Sequence, residues 1–459
     1  MISKQKIAIV ALSLLVAGLG TALLFVAKDR LDLSQTNDKE VRAFYVRASQ
    51  GKVGFTDANE LIFPDDKKFL DAKQAYIKDA VDFIAVDLRS MKLTLYKAGT
   101  PTEELKVLTK GREGSWWETP TGNYHVLEME QNHFSTIGKV WMPWSIQFYG
   151  NFFIHGWPYH EDGSPVSSTF TGGCIRLATE DAKKVYEFAA KGMPILVRDQ
   201  EPPVRYASFP EKEVPPPEVG AHAFLVANLS TGETLLEKRA SEPHAIASLT
   251  KLMTGVVGSE LVYLERSIKV TDSLLAAASV SFNPVAGDRY RAFDLLYPLL
   301  MQSSNKAANI LAGFSGRAEF VANMNSKARS IEMQDTTFAD PSGISAGNIS
   351  TPKDVLTLLQ YIYYKRRFLF DITKGKSYDT FGSTNFGELK NFNEFVSDVR
   401  LIGLKNGKTR AAGETIAGVW EFETPEGKVP VAIITLGSTD RKADAAALLA
   451  WTEAHMESR

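Results

Sequence analysis

"HAIASLTKLMTGVV", His244–Val257, decides the fold and the chemistry of the larger part of this 459-residue chain. A serine and a lysine stand three residues apart in a run with helical apolar spacing. On a helix the two share a face, so Lys251 reaches the Ser248 hydroxyl. To accept the serine proton the lysine must be neutral, and burial or a second cation lowers its pKa. The S-x-x-K pattern alone is weak, because it also begins at Ser3, Ser49, Ser303 and Ser350. Downstream company singles out Ser248. "LLMQSSNKAANILAG" carries Ser303-Ser304-Asn305 after an apolar run, and "LIGLKNGKT" puts Lys405-Asn406-Gly407-Lys408 on a predicted strand. Taken singly, Ser303 reads equally as a helix cap and Lys405 as a surface strand lysine. Together and in this order they point to acyl transfer at a serine.

Outward from these motifs, "HAFLVANLSTGETLLEKRA" predicts two strands around Ser230-Thr231-Gly232. Helical patterns follow, strands return at "VRLIGLKNGKT", "ETIAGVWEFET" and "VPVAIITLG", and "RKADAAALLAWTEAHM" predicts a final helix. Strands at both ends with helices between predict an α+β domain over residues 221–459. Before it, Gln200–Gly220 holds six prolines. This segment reads as a stiff linker over 200–220, and about 20 extended residues reach roughly 60 Å, enough for independent sites.

Residues 81–199 read as a mostly β domain. "DFIAVDLRSMKLTLYKAG" alternates as a hairpin, "TPTGNYHVLEME" is a turn and a strand, and "SIQFYGNFFIHG" is strand-like. "TEDAKKVYEFAAKG" predicts one amphipathic helix, capped by Thr179 and ended by Gly192, and "MPILVRD" a closing strand. Cys174, in "TGGCIRL", is the chain's one cysteine. A thiol nucleophile needs a base and an orienter for that base. His155, at a strand end, is the candidate base, with His160 as competitor. Gly172 and Gly173 let the backbone turn tightly, amides around Cys174 would stabilise an oxyanion, and Arg176 would bind a carboxylate. The plain alternative is a packing cysteine beside a structural histidine.

At the N-terminus, Ile7–Ala27 carries no charge over 21 residues and follows Lys4 and Lys6. As a helix it spans roughly 31 Å, the depth of a bilayer core. We expect a cytoplasmic stub and membrane anchor over 1–30, a stalk over 31–80, and a single-pass protein with both domains extracytoplasmic. A signal peptide cut after Ala22 is the alternative. A net charge of −2 argues against nucleic acid as partner. One cysteine excludes an intramolecular disulfide and a Cys/His zinc cluster. No metal or organic cofactor is implied.

The segment 82–198 resembles the L,D-transpeptidase catalytic domain of peptidoglycan cross-linking enzymes, through its opening hairpin, its Thr-Pro-x-Gly turn and the His…Gly-Cys-Ile-Arg run. The resemblance implies Cys174 as nucleophile, His155 as base, the Gly156 carbonyl as orienter, Gly173 at the substrate and Arg176 near it. That family has a histidine where this chain has Gly172. Residues 220–459 resemble D-alanyl-D-alanine carboxypeptidases, the low-molecular-weight penicillin-binding proteins, through "SLTKLMT", the S-x-N run, "FADPSGIS" and "LKNGKTRAAGETIAGV". This implies a penicillin-binding/β-lactamase-like fold with Ser248 acylated, Lys251 as base, and Ser303 and Asn305 relaying protons and binding peptide. Lys405 and Gly407 would hold the substrate carboxylate, and the Ser248 and Lys408 amides the oxyanion. Asn406 departs from the family's Thr/Ser, and its amide would donate to that carboxylate. A class A β-lactamase would need a glutamate for its deacylating water, for which there is no clear candidate. The two resemblances imply a bifunctional enzyme acting on peptidoglycan stem peptides and acylated by β-lactams. The rival is a non-catalytic wall tether.

Overall fold

The computed structural model describes residues 64–167, 171–199, 214–276, 282–376, 389–424 and 427–456. The apolar segment Ile7–Ala27 lies outside them. Among the described residues no helix is long and apolar enough to cross a membrane.

The first body begins with α1 (Pro64–Lys78) and β1 (Phe83–Asp87), β2 (Lys92–Lys97) and β3 (Thr100–Lys106). It continues with β4 (Gly122–His125), β5 (Glu128–Ser135), β6 (Val140–Tyr149), β7 (Phe152–His155), β8 (Ile175–Arg176), α2 (Thr179–Phe188) and β9 (Pro194–Arg198). One sheet runs β3-β2-β1-β9-β4 and a second β5-β6-β7-β8. Strand β1 is apolar on both faces because both are covered. Ile84 and Val86 enter the core between the sheets, while Phe83 and Ala85 meet Phe69 and Leu196 on the other side. Hence α1, placed by sequence in the stalk, is part of the folded body. "SIQFYGNFFIHG" is two strands rather than one, because Gly150 at φ +46 turns the chain back between β6 and β7. Ala178, not Thr179, occupies the cap position of α2, without a side-chain cap. The Thr179 hydroxyl accepts instead from the Trp157 amide.

The second body is built on an antiparallel sheet, β11-β10-β18-β17-β16. Its strands are β10 (Ala223–Asn228), β11 (Thr234–Lys238), β16 (Leu401–Thr409), β17 (Gly413–Thr424) and β18 (Gly427–Ser438). The short strand β12 (His244–Ala245) pairs with β15 (Ile349–Ser350), and β13 (Ser267–Lys269) with β14 (Arg289–Arg291). Helices α3 (Thr250–Leu261), α4 (Ala292–Met301), α5 (Asn305–Ala312), α6 (Arg317–Ser330), α7 (Pro352–Lys365) and α8 (Arg367–Thr373) build the core on one face. Helix α9 (Arg441–Met456) covers the other with Leu448, Leu449 and Trp451.

Phe63–Arg459 forms one compact unit, so the two bodies are not loosely tethered as the linker length suggests. A buried polar seam joins them. Glu260 of α3 pairs with Lys327 at 3.1 Å and Arg366 at 2.9 Å, and all three side chains are fully buried. The Lys327 ammonium donates to the hydroxyls of Tyr361 (2.7 Å) and, across the seam, Tyr124 of β4 (3.1 Å). It also lies 5.0 Å from the Tyr149 ring centre. At the end of α3, the Leu261 carbonyl accepts from the Asn151 side chain at 3.2 Å.

Candidate active sites

The serine site forms where a 3-10 turn, Ala247–Leu249, runs into α3. Helix α3 is buried nearly all round, so Lys251 is wholly buried at its first turn. Lys251 Nζ lies 3.0 Å from Ser248 Oγ and 2.8 Å from Asn305 Oδ1, and it also contacts the Ser342 carbonyl oxygen. Burial, then the charge of Lys405, holds its pKa well below the ordinary lysine value, against Asp340. A neutral amine has two hydrogens and one lone pair. The Asn305 and Ser342 oxygens only accept, so they take both hydrogens. In that neutral form the lone pair is the one left for the serine hydroxyl, as a base requires.

Two loops set these acceptors. The predicted helical run around Ser303 breaks in two: α4 ends, Ser303 takes φ +56, and the Ser304 hydroxyl caps α5 by accepting from Ala307 N at 3.2 Å. Ser303 itself is therefore not the cap, and Asn305 starts α5 with its side chain on Lys251. The Ser342 carbonyl is fixed by Asp340, which accepts from the Ser342 hydroxyl and from the amides of Ser342, Gly343 and Ser345 at 2.6–2.8 Å. Burial alone would raise the Asp340 pKa, but these bonds bring it down to about 2.

Strand β16 lies at the sheet edge beside the serine. A Cβ on Gly407 would stand 2.6 Å from the Ser248 amide nitrogen, so only glycine allows this approach. Lys405 is fully buried and pushed down to about 7 by burial and Arg441, against Glu394. Its ammonium donates to the Asn406 carbonyl at 2.9 Å and to Asn406 Oδ1 at 3.2 Å. Asn406 does not offer its amide to a ligand as expected. That NH2 donates to the Phe392 carbonyl (3.0 Å) and to Glu394, which Arg441 holds at 2.7 Å. Arg441 also donates to the Gly407 carbonyl at 3.0 Å. The Lys408 side chain turns out to Glu414 at 2.7 Å. Sequence reasoning missed Asp340, Ser342, Glu394 and Arg441. Only "FADPSGIS" held a signal for the first two.

The cysteine site is built on β7 and β8, which run parallel with His155 opposite Arg176. Cys174 precedes β8 and is half-buried. Its thiol donates to the Asn151 carbonyl at 3.7 Å, not to His155. His155 is buried, with Nδ1 2.6 Å from the Gly156 carbonyl. That acceptor puts the proton on Nδ1 and leaves Nε2 as the basic nitrogen. Burial brings His155 down to about 4, with Arg176 adding to the effect and the Gly156 bond opposing it. Burial pushes the Cys174 thiol up to about 11, against Arg176. The resting pair is thus a neutral thiol and a neutral imidazole. Arg176 is buried, with its guanidinium 5.5 Å from the Trp157 ring centre.

Gly173 needs to be glycine. It adopts φ +105, and a Cβ there would lie 2.2 Å from the Phe152 ring. Gly172 is exposed, with open space around a Cβ. A histidine therefore fits at Gly172. His160 hydrogen-bonds through its backbone to Ser164 and Gly163, in the turn beyond β7.

Comparison with known proteins finds a family match over each of the two bodies. A family model described as D-alanyl-D-alanine carboxypeptidase matches residues 210–439, half of the chain. The chain belongs to this family. A model of the L,D-transpeptidase catalytic domain matches residues 82–197. Family relatives include the D-alanyl-D-alanine endopeptidase of Escherichia coli K12, 29% identical over 249 residues, covering 52% of this chain and 78% of the relative. The D-alanyl-D-alanine carboxypeptidase DacD of Salmonella typhimurium is 28% identical over 255 residues, and the match spans 51% of this chain and 63% of that protein. A solved family structure, a D-alanyl-D-alanine carboxypeptidase from Mycobacterium tuberculosis H37Rv, has 26% identity and a TM-score of 0.48, covering 54% of this chain and 96% of its own.

Proposed function

We propose that this family member is a bifunctional peptidoglycan enzyme, a serine D,D-carboxypeptidase joined to a cysteine L,D-transpeptidase. The observation that carries the reading is Lys251, buried, with its Nζ 3.0 Å from Ser248 Oγ and against the oxygens of Asn305 and Ser342. A pentapeptide stem lies along the free edge of β16, where backbone pairing holds it extended. Ser248 Oγ attacks the penultimate carbonyl while its proton passes to Lys251. The Ser248 and Lys408 amides hold the oxyanion. D-alanine leaves with a proton returned through Ser303, and water then releases a tetrapeptide. Cys174 takes that product as acyl donor. His155 Nε2 removes the thiol proton as sulfur attacks, terminal D-alanine departs, and an amine of a second stem receives the acyl group. The apolar segment Ile7–Ala27 anchors the chain, with both bodies on the extracytoplasmic side. β-Lactams acylate the serine.

The test is mass spectrometry of a disaccharide-pentapeptide, a disaccharide-tetrapeptide and a cross-linked dimer, each incubated with the full chain, with Ser248→Ala and with Cys174→Ala. Loss of one D-alanine that needs Ser248, followed by dimers that need Cys174, supports the reading. Cleavage of cross-linked dimers without loss of D-alanine from monomers assigns an endopeptidase instead. Untouched pentapeptide and tetrapeptide leave only a stem-binding tether. The thiol bond to Asn151 favours a second reading, in which the serine turns over and the cysteine body binds stems without catalysis. Tetrapeptide left unreacted beside active Ser248 selects it.

A further inference from the structure

The segment 108–121, which crosses between the bodies, touches the Cys174 loop on one side. The Leu108 amide donates to the Arg176 carbonyl at 2.8 Å, and the Arg176 and Thr171 amides donate back to Thr109 (3.0 Å) and Lys110 (3.2 Å). Thr119 Oγ1 accepts from Gly111 N and donates to the Gly173 carbonyl, both at 2.9 Å. That carbonyl belongs to the peptide bond whose amide is Cys174 N.

On its other side the same segment is gripped by the serine body. Glu118 is buried, and its carboxylate takes Lys365 Nζ at 3.0 Å on one oxygen and Gly114 N at 2.8 Å on the other. Arg366 donates to the Glu118 carbonyl at 3.1 Å. Lys110 and Lys365 share Asp199 at 3.0 and 3.2 Å. The Trp116 ring packs 5.8 Å from Phe293 of α4. Lys365 and Arg366 sit at the α7–α8 corner, so a rigid part of one body holds a strap that shapes the other's nucleophile loop.

We infer that the serine body is a working part of the cysteine site: Lys365 and Arg366 are positioning residues that act on Cys174 through Glu118, Thr119 and Gly173. The brace is a matter of geometry, and its bearing on acyl transfer rests on the transpeptidase reading. Misplacement of a reacting atom by about 1 Å costs up to about a hundredfold in rate, so the strap sets how well the site works.

The test measures amide exchange over residues 171–177 in the full chain, for wild type, Lys365→Met, Lys365→Arg and Thr119→Val. Carbapenem acylation of Cys174 and penicillin acylation of Ser248 are read alongside. Lys365→Met and Thr119→Val should speed exchange about tenfold, as loss of a buried hydrogen bond does. Cys174 acylation should slow by a similar factor, Ser248 acylation should stay within twofold, and Lys365→Arg should restore both readouts. Unchanged exchange in Lys365→Met overturns the inference, whatever Thr119→Val shows. If Lys365→Met does not fold, Glu118→Gln, a change on the strap that leaves the serine body untouched but weakens its contact with Lys365, is measured in its place, and unchanged exchange there overturns the inference equally. Faster exchange in a protein whose wild-type Cys174 takes no carbapenem upholds the brace and removes the transpeptidase reading.

Discussion

Glu260→Gln tests the seam directly. The change keeps shape and removes the carboxylate shared by Lys327 and Arg366, whose side chains are fully buried. Breaking a buried pair by removing one partner costs about 3–5 kcal/mol, because the remaining charge is left without compensation. Unfolding entropy of about 2.1 cal/mol/K per residue over roughly 400 residues gives about 0.8 kcal/mol per degree. The midpoint should therefore fall by about 4–6 °C at pH 7. Burial works to raise the Glu260 pKa, but Lys327 and Arg366 together pull it below the ordinary value. A lowered carboxyl pKa contributes stability that is full above the unfolded value of about 4.3 and fades as pH falls through the folded one. The gap between wild type and variant should accordingly close in acid. Calorimetric scans of both proteins from pH 3 to 8 provide the check. A midpoint drop under about 1 °C at pH 7, or a gap that does not narrow at all between pH 5 and pH 3, refutes the argument that these charges are desolvated and matched.

The remaining predictions concern the two sites. With Lys405 at about 7, the free enzyme loses that charge as pH rises, so kcat/KM for a peptide with a free terminal carboxylate should decline above pH 7. A carboxylate-free ester measured alongside should show no such decline. Alkylation of Cys174 by iodoacetamide should climb about tenfold per pH unit from 7 to 10, since the thiol lies near 11; a plateau below pH 8 contradicts a protonated resting thiol. Gly172→His enters open space, so calorimetry should find its melting temperature within about 1 °C of wild type. Gly173→Ala should lower that acylation about a hundredfold, because the loop must shift to clear Phe152.

The large elements were legible because their periodicity and their burial coincide. The final helix, Arg441–Met456, matches the predicted stretch from end to end. The hairpin of β1 and β2 falls within the predicted stretch Asp82–Gly99, where alternation fixes the register. The Ser248–Lys251 contact was also legible, since a three-residue spacing carries it, but the Asn305 contact, 54 residues away in sequence, was not. What escaped reading depends on partners remote in sequence. Asn406 looked like a ligand group until Glu394 and Phe392 folded onto it. The thiol looked paired with His155 until the turn at Gly150 brought the Asn151 carbonyl to it. Lys365, Arg366 and Glu118 carry no local pattern, and their roles arise only where the bodies meet.

Helix α3 gives the molecule a fixed gauge. Ser248 precedes its N-terminus, and its last carbonyl binds Asn151, whose own carbonyl receives the Cys174 thiol. Twelve residues at about 1.5 Å each make a rod of roughly 18 Å. On the proposed function, stems attached to a glycan polymer do not diffuse freely from one mouth to the other, so a rigid interval favours neighbours hung at a matching pitch. An enzyme of this build would leave its spacing in the wall, as a preference for which stems are trimmed and which are joined.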